Sequence, residues 1–451
     1  MATALIILAA GEGTRMNSDL PKVLHRVAGA PMLVHAMQAG AMLEPDHTII
    51  VAGHGAEAVR AIVAAHDETA EVVLQAEQLG TAHAVAQAAP RLAGYAGDAL
   101  VLYGDTPFIQ PETLARMASA RARHDIVVLG FETTDPGRYG RLVVSDETLT
   151  RIVEFKDATP AERAITLCNS GVILAAAPLL FDLIADVGND NAAGEYYLTD
   201  IVALARTRGR AAGVVICDEA ETLGINSRAE LARAEAAFQT RARAAALENG
   251  VTLCAPETVH FAYDTHLGRD SVIEQNVVFG PGVTIETGAH IRAFCHLEGC
   301  HVARGAVVGP YARLRPGTEL AEDTRVGNFV EVKNALIDEG AKVNHLSYIG
   351  DAHIGSATNV GAGTITCNYD GVSKHHTEIG RNVFIGSNTM LVAPVTVGDG
   401  ALTGSGSVIT RDVEAGALAL ARAVQVNKPG RAKKLFEYLK NNAAKRGKGA
   451  D

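Results

Sequence analysis

Between Ile273 and Ile409 the chain advances six residues at a time, and that period excludes most folds. Ile273, Phe279, Ile285, Ile291 and Leu297 open successive hexads. After a one-residue slip, Val302, Val308, Leu314, Leu320, Val326 and Val332 continue, then Ile337, Val343 and Ile349, then Ile354 and Val360. Past an interruption come Ile379, Ile385, Leu391 and Val397. A helix needs a period near 3.6 and a free strand one of 2. Six fits short strands joined by tight turns, three to a coil, with one aliphatic residue per side pointing inward. The span predicts roughly seven or eight coils about 4.8 Å apart, a triangular prism on the order of 35 Å long. The glycines that often follow the aliphatic residue (Gly280, Gly309, Gly327, Gly355, Gly386) are expected to supply turn conformations.

A chain of 451 residues is too long for one ordinary core. With 40 Lys+Arg against 51 Asp+Glu it is acidic, which argues against non-specific nucleic-acid binding, and the lack of tryptophan removes stacking platforms for single strands. Six scattered cysteines (Cys168, Cys217, Cys254, Cys295, Cys300, Cys367) form no CxxC pair and read as reduced thiols in a cytoplasmic protein. The apolar N-terminal run has no basic flank and ends in a glycine turn after about eight residues, so it is expected to be a buried strand. No later run is long enough to span a bilayer.

That first run, residues 4–10, is continuously apolar, as in a parallel strand covered on both faces. It enters the turn Gly11-Glu-Gly-Thr-Arg-Met16 and then Pro21-Lys22-Val-Leu-His25. Exposed backbone N–H groups in such a turn can wrap phosphate oxygens, with Arg15 and Lys22 adding charge. The turn is neither a dinucleotide fingerprint, since Met16 replaces the third glycine, nor a Walker A loop. Strand-like runs recur at 47–52, 71–75, 99–103 and 126–131 between Ala-rich helical stretches, the βαβ pattern of a mostly parallel, doubly wound sheet. Ligands bind at the carboxyl ends of such strands. That directs attention to Gln75, Gly80 and Thr81, and to Tyr103-Gly104-Asp105, where the carboxylate would suit Mg²⁺. Polar clusters at Arg138–Arg141, Glu154–Asp157 and Asn169–Gly171 suit sugar hydroxyls. Ser227 and Glu230 have capping-box spacing, so a long helix is expected to follow Asn226. The expected division is 1–226, a linker helix over 227–248, and 249–451.

These strings, followed by a helix and a hexapeptide solenoid, resemble the bacterial bifunctional GlmU family, which combines N-acetylglucosamine-1-phosphate uridylyltransferase with glucosamine-1-phosphate N-acetyltransferase. The resemblance covers nearly the whole chain. It implies a Rossmann-like nucleotidyltransferase domain and a left-handed parallel β-helix. It also implies Mg²⁺, with acetyl-CoA and UTP as co-substrates, and a homotrimer whose acetyltransferase site borrows residues from neighbouring chains. Leu8, Ala9, Ala10, Gly11, Lys22, Gln75, Gly80, Thr81, Tyr103, Gly104, Gly140, Glu154 and Asn169 match its nucleotide-sugar contacts, and Asp105 and Asn226 its metal ligands. Arg15 and Lys22 would neutralise charge as the sugar phosphate attacks the α-phosphorus of UTP. Arg138 and Ser405 are larger than the pattern's residues at those places.

Charged or bulky residues are exceptions in a hexad solenoid, and they cluster here around a loop that breaks the repeat between Thr366 and Glu378. Basic residues, a histidine and that loop suit a phosphorylated, amine-bearing acceptor. A protonated amine cannot attack a thioester, so a group titrating near neutrality must take its proton. The resemblance makes His345 that base. It matches Arg315, Lys333, Tyr348, Asn359 and Lys374 to the sugar phosphate, and Ala362, Asn368, Tyr369, Ser387, Ser405 and Arg422 to acetyl-CoA. The tail beyond Gly430 (Lys433, Lys434, Lys440, Lys445, Arg446, Lys448) is expected to be a short basic helix with a solvated end. Two alternatives remain open: a pyrophosphorylase with a purely structural solenoid, which His345 and the 366–378 loop oppose, and a non-catalytic regulator, which Arg15, Lys22, Asp105 and Asn226 oppose.

Overall fold

A computed structural model describes residues 2–145 and 148–446, so Lys448 lies outside the described residues. The chain forms two compact units, Met1–Glu248 with His260–Thr265, and Asn249–Val259 with His266–Asp451.

Among the described residues of the first unit, nine strands form one sheet. In chain order they are β1 (Thr3–Ala9), β2 (His47–Ala52), β3 (Glu71–Leu74), β4 (Asp98–Tyr103), β5 (Ile126–Glu132), β6 (Arg141–Ser145), β7 (Thr148–Val153), β8 (Leu167–Ala176) and β9 (Ala212–Cys217). The spatial order is β9-β5-β8-β4-β1-β2-β3, with the β6–β7 hairpin attached to β8. β1 lies parallel to both β2 and β4. β8 is antiparallel to β4 and β5, and its register shifts between Asn169 and Ile173.

Every residue of β1 is buried. Ile6 and Leu8 pack into one core layer with Val51, Val101 and Val128. Leu5, Ile7 and Ala9 pack into the opposite one with Ile50, Leu100 and Leu102. Covering on both faces is why the run carries no polar alternation. The register sets Leu8 beside Tyr103 and Ala9 beside Ala52, so the segments following β1, β2, β3 and β4 emerge along one edge.

In the second unit the hexads close into a parallel β-helix with three ladders. The first face runs from Thr252–Leu253 through Val272–Ile273, His290–Ile291, Val307–Val308, Arg325–Asn328 and Lys342–His345 to Leu418–Ala419. It begins about one coil earlier than the repeat in the sequence, with Leu253 in register with Ile273. Glu331–Ile337 and Tyr348–Ile354 each turn the corner between the second and third faces. The slips at Leu297–Val302, Val332–Ile337 and Ile349–Ile354 fall at this same corner, which one fewer residue can still turn.

The inward aliphatic row is buried throughout, from Ile273 to Val397. A second inward row admits threonine where the hydroxyl finds a carbonyl three residues back, as in Thr318 to Arg315 O (2.7 Å) and Thr389 to Gly386 O (2.6 Å). The role expected of the glycines holds at Gly309, with a φ of +99°, and needs correction at Gly280, Gly327, Gly355 and Gly386. Left-handed backbone falls mostly three residues after the inward aliphatic residue, at positions such as Asn276, Phe294, Tyr311 and Phe329. Gly327 and Gly386 are instead places where neighbouring coils touch. A Cβ at Gly327 would lie 2.0 Å from Asn344 O, and one at Gly386 2.4 Å from Thr403 O.

The chain continues into an exposed helix, Arg431–Arg446, with Leu435, Phe436, Tyr438 and Leu439 on its surface. No helix among the described residues is long and apolar enough to cross a membrane.

Candidate active sites

The strand-end edge of the first unit opens into a cleft of about 300 Å³. Ten expected residues line it: Leu8, Ala9, Ala10, Gly11, Lys22, Gln75, Gly80, Thr81, Tyr103 and Asp105. Gly13 hinges the glycine turn. Its φ of +64° is left-handed, and a Cβ there would stand 2.6 Å from the Lys22 Cβ, so only glycine lets the turn lie against that segment.

Lys22 is the point of convergence. Its Nζ donates to Asp105 Oδ2 and, at 3.1 Å, to Asn226 Oδ1. Asp105 follows β4, whereas Asn226 sits just ahead of the helix Arg228–Glu248, and the Ile225 N–H donates to Asp105 O (3.0 Å) to hold the two segments together. The expected cap at Ser227 forms with a shift. Ser227 Oγ accepts from Glu230 N (3.3 Å), but the Glu230 carboxylate accepts from Asn226 N (2.6 Å). Arg228 then ties this helix to the turn, donating to Met16 O (3.2 Å) and to His25 Nδ1 (3.2 Å). Burial, with the Arg228 charge, holds the His25 pKa below its usual value, consistent with an accepting ring.

Gln75 Nε2 contacts Gly80 O (3.2 Å) and His83 Nδ1 (3.1 Å), which leaves its carbonyl oxygen as the acceptor it can offer a ligand. Tyr103 is half-buried beside the Thr81 hydroxyl. Burial and then the Glu154 and Asp105 charges push its phenol pKa up, so it remains a neutral hydrogen-bonding group. Gly140, Glu154 and Asn169 gather in a second patch. Asn169 N donates to Gly140 O (2.9 Å), and a Cβ on Gly140 would lie 3.4 Å from the Glu154 carboxylate. Burial raises the Glu154 pKa. The bond from Thr199 (3.2 Å) opposes that, and the charges of Asp200, Asp157 and Glu195 add to it. Gly104 lies against Val23 and donates to Leu8 O (2.9 Å). Arg15 is exposed on the turn Thr14–Met16 and does not line the cleft. Sequence reasoning missed Val23, Gln78, Ala84 and Glu195 on the wall, although Gln78 stands inside the Gln75–Thr81 string.

On the solenoid the expected residues fall into separate groups. His345 ends a first-face strand, with its Nδ1 2.8 Å from Asn328 Oδ1. Successive coils continue the same column, with Gly363 N donating to His345 O (3.2 Å), Asn388 N to Ala362 O (2.7 Å) and Gly406 N to Ser387 O (2.8 Å). Arg422 closes it by donating to Ser405 O (2.7 Å). His345, Ala362, Ser387, Ser405 and Arg422 thus follow one corner. Asn359 lies on the first face, paired with Lys342.

Arg315, Lys333 and Tyr348 belong to the second face. Lys333 stands at hydrogen-bonding distance from Lys374 of the loop, and that neighbour lowers its pKa. Asp351, missed in the sequence, organises this group. Burial pulls its pKa up, but bonds from Asn334 (2.6 Å) and Asn368 and the charges of Lys333 and Lys374 bring it below the usual value. Arg315 donates to Glu331 Oε1 (2.9 Å), also missed. The loop is a small hairpin with Tyr369 bridged to Lys374. Asp370 accepts from Val372 N, Ser373 N and His375 Nε2, and Tyr369 is exposed with its hydroxyl donating to Gly371 O. Asn368 is buried with one of its N–H donors engaged by Asp351.

Residues 5–197 match the MobA-like NTP transferase domain family, and residues 376–411 match the bacterial transferase hexapeptide family of six repeats. Sheet, cleft and repeat together define a class: a nucleotidyltransferase joined to a hexapeptide-repeat acyltransferase. "Bifunctional protein GlmU" of Cereibacter sphaeroides is 70% identical over 98% of this chain and 98% of its own, and that of a Ruegeria species is 68% identical over 100% of both. A solved UDP-glucose pyrophosphorylase complexed with UDP-glucose covers 53% of this chain and 100% of its own at 17% identity, with a TM-score of 0.45. The chain belongs to the GlmU family, and it is a bifunctional enzyme of UDP-N-acetylglucosamine synthesis.

Proposed function

We propose that the cleft of the first unit transfers uridylyl groups and that the column ending at His345 lies in the acetyl-transfer site. The convergence of Asp105 and Asn226 on one cation, the Lys22 ammonium, carries the first assignment. Two side-chain oxygens sharing one cationic partner fit Mg²⁺, which takes few protein ligands and draws the rest from phosphates and water. Bound there, the ion would neutralise charge on the triphosphate. Lys22 holds the same phosphates, with Arg15 on the mouth of the turn. The sugar-phosphate oxygen forms its bond to the α-phosphorus as the bond to pyrophosphate breaks, and no protein base is needed because that oxygen is already anionic. The free Gln75 oxygen accepts from an imide N–H, which uracil has and cytosine lacks. The Glu154, Gly140 and Asn169 patch takes the sugar and its N-acetyl group.

In the solenoid, His345 removes a proton from the acceptor amine. The nitrogen then attacks the thioester carbonyl, and the C–S bond breaks to release coenzyme A. Arg315, Lys333 and Lys374 hold the sugar phosphate with Tyr348 and Asn359, while Ala362, Asn368, Tyr369, Ser387, Ser405 and Arg422 follow the coenzyme. His345 sits on the first face and the cation cluster on the second, so one copy does not bring them together. The corner between these faces carries a stack of exposed aromatics, Phe294–Tyr311 (4.9 Å) and Tyr311–Phe329 (5.3 Å), followed by exposed Leu346. Burying that corner on a threefold axis sets the first face of one copy against the second face of the next. We therefore read the protein as a cytoplasmic homotrimer with its acetyl-transfer sites between copies.

Incubation with glucosamine 1-phosphate, acetyl-CoA, UTP and Mg²⁺, followed by mass, should yield coenzyme A, pyrophosphate and UDP-N-acetylglucosamine. Omitting Mg²⁺ should stop the chain of products at N-acetylglucosamine 1-phosphate. Nucleotide transfer without a divalent cation would refute the metal assignment.

A further inference from the structure

We propose that Asn328 is the positioning residue for His345, fixing which ring nitrogen carries the proton without adding charge. This rests on the reading of His345 as the base. Asn328 ends the strand Arg325–Asn328 and stands in direct register with His345 on the next coil. Its Oδ1 lies 2.8 Å from His345 Nδ1. An amide oxygen only accepts, so Nδ1 holds the proton and Nε2 keeps a lone pair for the substrate amine.

The contrast with the other solenoid histidines is what makes this partner informative. His290 pairs with Glu274, His301 with Glu286 and Glu319, His353 with Asp338 and Glu378, His375 with Asp370, and His376 with Glu378. Among described residues whose histidine ring bonds in this unit, His345 alone has a neutral amide. A carboxylate orients an imidazole equally well but stabilises its protonated form, and a base that starts protonated cannot accept a proton. Within one copy, no carboxylate among the described residues lines the pocket around His345, about 260 Å³. Its charged walls are Arg292 and Arg325, and its other lining residues include Asn344, Gly309 and Gly327. Lys342 is the remaining charged group on the His345 strand.

The test compares Asn328→Ala, Asn328→Asp and His345→Ala in the full-length protein, with uridylyl transfer as the check on folding. Asn328→Ala should lower acetyl-transfer kcat by roughly 10- to 100-fold with little change in KM, because part of the general-base contribution is lost. Asn328→Asp should retain most of the rate at alkaline pH but move the acid limb of kcat/KM upward by about one unit or more. A purely structural role would leave that limb in place. An unmoved limb in Asn328→Asp, or a parent-like rate in Asn328→Ala, overturns the proposal while leaving His345 as base. Parent-like acetylation by His345→Ala overturns the base reading itself. Should Asn328→Ala lose uridylyl transfer too, the pH profile of Asn328→Asp decides.

Discussion

In the first unit, side chains from several strand ends and from the start of one helix meet around Lys22 within a single chain. On the solenoid, the histidine column and the cation cluster occupy different faces of a prism. A doubly wound sheet aims its strand ends at one edge, so residues distant in sequence arrive in one cleft. A prism aims its outward residues three ways, so residues on different faces are not gathered by the coil itself. On the proposed reading, the nucleotidyl site is a property of the fold, whereas the acyl site would be a property of the assembly.

Substitutions can break or sharpen that contrast. His345→Ala should cost ~10²–10⁴ in acetyl transfer and leave uridylyl transfer at the parent rate, and a variant that still acetylates normally removes His345 from its role. Asp105→Ala should lower uridylyl transfer by ~10²–10³, with acetylation unaffected; loss of both activities would mean that the two sites are not independent. Phe329→Glu places a charge in the exposed aromatic stack. Sedimentation should show dissociation, and acetylation should fall by roughly tenfold or more while uridylyl transfer persists. A monomer that acetylates at full rate would show that the acyl site is complete within one chain.

The smallest effect concerns the third face. Burial pulls the His353 pKa down, but hydrogen bonds to Asp338 (3.0 Å) and Glu378 (2.7 Å) and their charges raise it above 6.5 overall. A raised folded-state pKa gives stability that is present below the unfolded pKa and is lost as pH rises through the folded one. His353→Gln should therefore lower the unfolding free energy near pH 6 by less than about 1 kcal/mol for so exposed a group, read as a lower Tm than the parent, and the gap should close at alkaline pH. A gap that widens with pH would contradict the pairing.

Both architectures were legible in the hexads and in the βαβ alternation, because burial leaves a period in the sequence. Cleft-lining residues just past strands were legible for the same reason: Gln75 and Asp105 follow apolar runs that announce themselves. Asp351, Glu331 and Asn328 were not. Each matters through a partner on another coil or loop, and no spacing encodes such a partner. Apart from Gly309, the glycines were visible but misread, since a glycine required by the next coil's backbone looks the same in sequence as one required by a turn.

The sequence alone determined the prism, the sheet and the glycine turn, since each follows from local periodicity and backbone chemistry. Only the tertiary structure decided that Lys22 bridges Asp105 and Asn226, that the solenoid's cations share Asp351, and that His345 faces an amide instead of a carboxylate. Those outcomes depend on register between segments 17 to more than 200 residues apart, and register is set by how layers pack.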